Sequence, residues 1–214
     1  MSEILQRTPE WFELRLGKVT ASRIGDLMAK TRSGYSASRA NYMAELAIQR
    51  LTGTVEQGFT SQDMQWGISQ ERYARAAYSF FTDNKVDEIA FIGHPTIEQA
   101  GASPDGLIGK DGLVEIKCPK SATHLDTLLS AKINNKYILQ MQWQMACSGR
   151  KWCDFVSFDP RFPERWKLFI KRVKRDNKLI AEITDEVKKF LAELDELMTQ
   201  LKQKAQLEQL AEAA

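Results

Sequence analysis

Three charged side chains near the middle of the chain have the types and spacing of a phosphodiester-cleaving site. Asp105 stands in Ser-Pro-Asp-Gly-Leu, and Glu115 and Lys117 follow in Glu-Ile-Lys-Cys-Pro. Two carboxylates placed close together repel each other unless a cation lies between them, and hard oxygens of this kind favour Mg²⁺ or Mn²⁺ over zinc. Such an ion polarises a phosphodiester and activates water, while a lysine offsets the charge that develops at phosphorus. The residue types therefore indicate metal-assisted hydrolysis.

A turn signal predicts that these residues lie on a β-hairpin. Asp-Gly at positions 111–112 is among the strongest two-residue hairpin turns, so we expect strands over residues 106–109 and 112–118. This register places Gly106 opposite Lys117. The preceding aspartate would then lie at the open end of the hairpin, beside the lysine.

Side-chain alternation places Glu115 and Lys117 on one face of the second strand. The carbonyl of Ile116, between them, is a further candidate oxygen ligand. The same residues also have a plain structural interpretation, because Pro-Asp-Gly is an ordinary turn sequence and Glu-x-Lys on a strand is often a solvated face. Spacing alone leaves both interpretations open.

The remaining pattern predicts the elements that must position these residues. Helical spacing or composition occurs in four segments: 38–52, 69–82, 136–148 and 177 onward. Strand patterns occur in three further segments: 86–92, 152–158 and 166–173. This order predicts an α/β (α+β) fold with a central mixed β-sheet flanked by helices and a C-terminal helix. We expect a single domain over residues 1–214, with 177–214 as a helical tail.

Composition narrows the class of protein. The longest apolar runs are far shorter than the roughly 20 residues of a membrane span, and the chain does not begin like a signal peptide, so we expect no membrane contact and a cytoplasmic location. The 3 cysteines form no CxxC pair, which predicts reduced thiols. Residues 1–175 hold 25 basic and 19 acidic side chains, whereas 176–214 hold 5 and 9. The basic body suits a polyanionic partner.

Several separate motifs resemble the lambda-exonuclease (YqaJ-type viral recombinase) family of PD-(D/E)xK nucleases. Ser-Pro-Asp-Gly-Leu followed by Glu-Ile-Lys-Cys-Pro matches the nuclease signature of that family. Five other segments are similar to the family in the same order: 15–22, 30–34, 66–71, 137–142 and 158–161. The resemblance covers nearly the whole chain and weakens after about residue 176. It implies a restriction-endonuclease-like core.

The activity implied by this resemblance is a Mg²⁺-dependent exonuclease, with Mn²⁺ as a substitute ion. It would digest the 5′ strand of linear double-stranded DNA processively and leave a 3′ overhang for recombination by strand annealing. The resemblance further implies a ring-shaped homotrimer, a single-strand annealing protein as partner, and a phage or prophage source in a bacterial host. The alternative is a DNA-end-binding or endonucleolytic PD-(D/E)xK protein without processive exonuclease activity. A relative with an iron-sulfur cluster would need four suitably spaced cysteines.

The resemblance also implies roles for individual residues. It places Glu71 with Asp105 and Glu115 around the metal, and Lys117 beside the attacked phosphate. Met64 is close to the position of an apolar wedge that parts the terminal base pairs. The residues implied in DNA and 5′-phosphate binding are Arg15, Thr20, Ser22, Arg32, Ser103 and Gln140.

Plainer interpretations of these residues remain open. Glu71 is one helical turn from Arg75 and can form a surface ion pair with it. Four residues are also typical of helix caps or of the core: Thr20, Ser22, Met64 and Gln140. The run 161–175 holds seven basic residues and one acidic residue. It fits either a track for the DNA backbone or an edge strand protected against aggregation.

Overall fold

The computed structural model describes residues 4–55 and 61–212, and this part of the chain contains seven α-helices and ten short or medium strands. The helices are α1 Pro9–Arg15, α2 Ile24–Met28, α3 Ala37–Thr52, α4 Gln62–Thr82, α5 Ser121–Ser130, α6 Asn135–Ser148 and α7 Asn177–Glu212. The strands are β1 Val19–Thr20, β2 Lys30–Thr31, β3 Gly34–Tyr35, β4 Val86–Asp87, β5 Ile92–Gly93, β6 Ala100–Ala102, β7 Gly106–Ile108, β8 Gly112–Lys117, β9 Trp152–Phe158 and β10 Leu168–Lys174.

A five-stranded sheet in the order β10-β9-β8-β7-β4 forms the centre of the fold. β8 and β9 are parallel, because α5 and α6 lie between them in the chain and form the crossover that a parallel pair requires. The other neighbours in this sheet are antiparallel. A smaller sheet in the order β1-β6-β5 and the β2-β3 hairpin lie outside it. The predicted fold, a central mixed sheet with flanking helices and a C-terminal helix, is confirmed.

The hairpin of β7 and β8 forms, but the predicted register was wrong. Gly106 pairs with Val114 and Ile108 pairs with Gly112, so the loop has three residues rather than two. Gly109, the first residue of this loop, has φ +48°, which glycine adopts without strain. In this register the Asp105 carboxylate accepts the backbone N–H of Ile116 at 2.6 Å.

Other element boundaries also differ from the sequence prediction. Residues 86–92 do not form one strand, because β4 and β5 belong to different sheets. The helix expected over 69–82 begins at residue 62, where Ser61 caps it by accepting the backbone N–H of Met64. The helix α5 was not predicted at all. The helix predicted over 136–148 does form, as α6.

The two faces of the central sheet are covered by different helices. On one face, buried apolar residues of β8 and β9 pack in a core cluster with α2, α3, α6 and α7. On the other face, Val114, Ile116 and Val156 pack against Ala74 and Tyr78 of α4. Alternation along β8 therefore directs Glu115 and Lys117 toward the α6 side.

The structure shows where the basic run and the C-terminal helix lie. β10 lies at the edge of the central sheet, as one of the two interpretations of the basic run requires. The first half of α7 is a packing helix, because Ile183, Val187, Phe190 and Leu194 are fully buried.

None of the helices in the described part of the chain combines the length and the apolar character needed to cross a membrane.

Candidate active site

A cavity of about 530 Å³ opens at the end of β8, and we call it the acidic cavity. Five residues singled out in the sequence line it: Met64, Glu71, Asp105, Ile116 and Lys117. Arg7 and Tyr137 complete the wall near the charged groups. The fold thus brings residues from α4, from the turn before β7, and from the end of β8 to one opening.

Glu115 lies beneath this cavity with only 1% of its surface exposed. Its Oε1 contacts the Lys117 ammonium and accepts from Gln140 Nε2 at 2.6 Å. Its Oε2 accepts from Gln144 Nε2 at 2.6 Å. Gln140 and Gln144 stand one helical turn apart on α6, so a single helix face holds both oxygens of the carboxylate. A buried carboxylate fixed by so many donors keeps one orientation.

The charged groups at the acidic cavity shift one another's pKa values. Burial and the nearby negative charge of Glu115 raise the pKa of Asp105 well above its ordinary value, and Glu71 contributes in the same direction. Burial disfavours the charged form of Lys117, but the attraction of Glu115 and Asp105 outweighs it and raises the pKa of the ammonium. Lys117 is therefore a fixed cation, and the carboxylates retain repulsion that a second cation would relieve.

The donor set at this point fits a small hard cation. Asp105 and Ile116 line the cavity, and the buried Glu115, between Ile116 and Val114 on β8, is the second carboxylate at this point. Mg²⁺ commonly takes only one or two carboxylates and completes its shell with water and substrate phosphate. Among residues 4–55 and 61–212, no three His, Cys, Asp or Glu side chains are close enough to form a ready metal cluster. The fit is therefore with two carboxylates.

Glu71 is engaged by two arginines in this conformation. Its Oε1 accepts from Arg75 Nη2 at 2.8 Å, so the i,i+4 ion pair that the sequence left open does form. Its Oε2 accepts from Arg7 Nη2 at 3.2 Å. Glu71 nevertheless lines the acidic cavity and contributes to the field at Asp105.

A second cavity of about 150 Å³ contains the predicted phosphate-binding group, and we call it the Arg15 cavity. Arg15, Thr20 and Ser22 line it, and so do Lys18 and Arg23. Thr20 makes no side-chain capping hydrogen bond at the 3₁₀ turn that follows it. Glu45 also lines it and pairs with Arg23, which leaves Arg15 and Lys18 with the two hydroxyls as the groups that suit a phosphate.

Arg15 is held in place by two neighbours, Trp11 and Ser103. Its guanidinium lies over the Trp11 ring, 4.2 Å from the centroid. Its Nη1 donates to Ser103 Oγ at 3.0 Å, and Ser103 precedes Asp105 by two residues. Burial lowers the pKa of Arg15 to about 10, which leaves it charged at neutral pH. Ser103 thus links the Arg15 cavity to the acidic cavity.

Arg32 and Met64, two of the residues predicted to contact DNA, are exposed. Arg32 is exposed between β2 and β3 and lines neither cavity. Met64 is 57% exposed at the rim of the acidic cavity, so the interpretation as a buried core residue was wrong. Its role in parting base pairs stays a prediction.

Sequence reasoning missed two residues around Glu115 and Lys117. Gln144 was not predicted as a site residue, although a helix places it on the same face as Gln140. Tyr137 carries the Lys117 ammonium over its ring, 5.0 Å from the centroid. Helical spacing from Gln140, at i−3 and i+4, was the available signal for both.

Comparison with known proteins gives matches to a family model and to solved structures. The model of the YqaJ-like viral recombinase domain matches residues 10–151. The crystal structure of an alkaline exonuclease from Laribacter hongkongensis, LHK-Exo, is 53% identical, with a TM-score of 0.88 over 97% of this chain and 100% of that chain. The structure of LHK-Exo in complex with dAMP matches with the same figures.

A more distant neighbour shows the fold alone. It is a phage-related exonuclease from Haemophilus somnus 129PT, 16% identical, with a TM-score of 0.71 over 86% of this chain and 96% of that chain. A search of curated proteins finds no match.

These neighbours define the class: the fold is a nuclease fold, with paired carboxylates and a lysine at the end of a central strand. The chain belongs to the YqaJ-like viral recombinase family. The resemblance read from its motifs is thereby confirmed, and the 53% identity to an alkaline exonuclease supports a nuclease of this family.

Proposed function

We propose that the protein is a Mg²⁺-dependent exonuclease that digests the 5′ strand of double-stranded DNA and leaves a 3′ overhang. The observation that carries this proposal is the link between the two cavities. Asp105 and Lys117 line one, Arg15 lines the other, and Ser103 connects them. An enzyme that removes nucleotides from an end needs a place for the terminal phosphate beside the place where the next linkage is cut.

In this proposal Asp105, Glu115 and the Ile116 carbonyl hold the ion, with Glu71 beside them. When bound, Mg²⁺ supplies electrostatic activation of the scissile phosphate and of the attacking water. Gln140 and its i+4 partner keep the Glu115 carboxylate oriented. The Lys117 ammonium, held charged by its acidic neighbours, lies beside the attacked phosphate and offsets its developing charge.

The Arg15 cavity receives the 5′-phosphate. Arg15 provides a planar pair of donors, and Thr20 and Ser22 add hydroxyls on the same wall. Gln140 and Ser103 support the site by holding Glu115 and Arg15. Arg32 binds DNA outside both cavities. LHK-Exo has been solved with dAMP, and a nucleoside monophosphate is what an exonuclease of this kind releases. That complex supports nucleotide release by this chain.

Family membership supports further parts of the proposal. The protein acts processively as a ring-shaped homotrimer around DNA, and Met64 parts the terminal base pairs. It cooperates with a single-strand annealing protein in recombination. Its place of action is the cytoplasm of a bacterial host, and its source is a phage or prophage.

The proposal is tested with linear duplexes labelled at either 5′ or 3′ end, carrying 5′-phosphate or 5′-hydroxyl, in Mg²⁺ or EDTA. We expect Mg²⁺-dependent release of 5′-labelled nucleotides and faster digestion of phosphorylated ends. Arg15→Ala should reduce this preference, because the guanidinium that donates to the 5′-phosphate is lost. Release from the 3′ label first, internal cutting of circular DNA, or full activity in EDTA would contradict the proposed function.

A further inference from the structure

Arg7 is held in an unusual backbone conformation at the mouth of the acidic cavity. Its φ is 72°, a region that glycine adopts readily and other residues rarely. The residue before it is fixed to the body of the protein, because Gln6 Nε2 donates to the carbonyls of Ile89 and Pro104, both at 2.9 Å. On the other side, Thr8 caps α1. A strained backbone that its surroundings maintain often marks a functional position.

The contact that Arg7 makes does not explain why an arginine stands there. Its Nη2 reaches Glu71 Oε2 at 3.2 Å, but Glu71 already has a shorter and more buried partner in Arg75. The Arg7 side chain is 48% exposed, and exposed ion pairs stabilise little. Its guanidinium also has five N–H groups, which leaves donors for another anion.

Arg7 adds a positive charge at the acidic cavity. It lines the acidic cavity with Lys117. Burial lowers the pKa of Arg15, and the positive charge of Arg7 acts in the same direction, so the two guanidiniums interact electrostatically. Two guanidiniums that repel each other are both stabilised when a polyanion lies across them.

We propose that Arg7 binds an internucleotide phosphate of the digested strand, at the first or second linkage from the 5′ end. This inference rests on the proposed exonuclease function. When DNA enters, the Arg7 guanidinium moves from Glu71 to the phosphate, and Arg75 keeps Glu71 in place. Arg7 thus determines how the end of the strand is positioned between the Arg15 cavity and the acidic cavity.

The direct test uses Arg7→Gly, because glycine suits the φ of this position and removes the charge. We expect a melting temperature at least equal to that of the wild type. Binding of a 5′-phosphorylated duplex in EDTA should weaken about tenfold, the loss of one charge-assisted hydrogen bond. The plot of log affinity against log salt should become less steep, by the amount expected for about one lost phosphate contact. Arg7→Gln, which keeps an extended polar side chain, should show the same loss of slope.

A second measurement locates the phosphate. Duplexes with a neutral methylphosphonate at the first, second, third or fourth linkage from the 5′ end are bound to wild type and to Arg7→Gly. We expect the wild type to lose affinity at each contacted linkage, and the variant to lose no further affinity at one of the first two. Equal losses in both proteins at every linkage would overturn the inference.

Arg72→Ala is the matched control. Arg72 is an exposed arginine of α4 that donates to Tyr73 and does not line the acidic cavity. The Arg72→Ala substitution removes the same charge, and we expect the affinity loss at each methylphosphonate linkage to match that of the wild type. If the wild type binds and digests ends and Arg7→Gly behaves identically, only this inference is refuted. A wild type that neither binds nor digests ends refutes the exonuclease proposal itself.

Discussion

Glu115 shows how strongly the site depends on individual hydrogen bonds. A carboxylate with 1% exposure must have partners, because an unpaired buried charge is very costly. Here one ammonium and two amides supply them. The two amides are neutral and orient the carboxylate, whereas the Lys117 ammonium offsets part of its charge. A metal ion bound here would share Glu115 with Lys117.

Gln144→Leu should weaken the response to Mg²⁺ because it removes the donor to Glu115 Oε2. Outer partners of metal ligands typically contribute about 10- to 100-fold in metal affinity or activity. We expect the Mg²⁺ concentration for half-maximal digestion to rise by about that factor. The measurement is a Mg²⁺ titration of the digestion rate, with Mn²⁺ binding followed by calorimetry in the absence of DNA.

Gln142→Leu is the control for loss of a buried amide on the same helix. Gln142 donates to the carbonyl of Lys174 and accepts from the N–H of Asp176, away from Glu115. It should lower the melting temperature without changing the Mg²⁺ titration. Identical Mg²⁺ titrations for Gln144→Leu and the wild type would show that Gln144 has no role in positioning.

At the scale of elements, α4 must stay fixed against the sheet because it carries Glu71 and Met64. A polar network inside the apolar contact does this. Tyr78 Oη donates to Asp154 Oδ2 at 2.8 Å. Arg172 donates to both oxygens of Asp154 at 2.8 and 2.9 Å. One buried carboxylate thus joins α4, β9 and β10.

Asp154→Asn should destabilise the protein because the buried network loses its charge. Three charge-assisted bonds are affected, but Arg172 is half exposed, so we expect about 1–3 kcal/mol in the free energy of unfolding. Urea unfolding followed by circular dichroism measures this change. Tyr78→Phe, which removes a single hydroxyl, should cost less. An unchanged urea midpoint for Asp154→Asn would contradict a stabilising role for the network.

The elements also show where sequence patterns stop being informative. Residues 136–148 alternate like a strand, yet the helix forms because it places Met141 and Met145 in the core and Gln140 and Gln144 on Glu115. The composition was sufficient to predict this. The hairpin register was not predictable from the Asp-Gly turn, because pairing with β9 and packing on α4 determine where β8 lies.

At the scale of the whole molecule, the sequence predicted the fold class, five residues that line the acidic cavity and three that line the Arg15 cavity. Motif spelling identified Asp105, Lys117 and Arg15. Contacts between distant segments could not be predicted, because they depend on tertiary packing. One example is the ion pair of Arg7 with Glu71, whose residues are 64 positions apart in the sequence. Another is the hydrogen bond from Arg15 to Ser103, across 88 positions.

The central claim is that Asp105 and Glu115 together bind the divalent ion used to cleave DNA. The most direct measurement is an anomalous difference map from crystals soaked in Mn²⁺, for the wild type and for Glu115→Gln. We predict a peak within coordination distance of both carboxylates in the wild type, and its loss in the variant. A wild-type map without a peak at this site, or an equal peak in Glu115→Gln, would contradict the account.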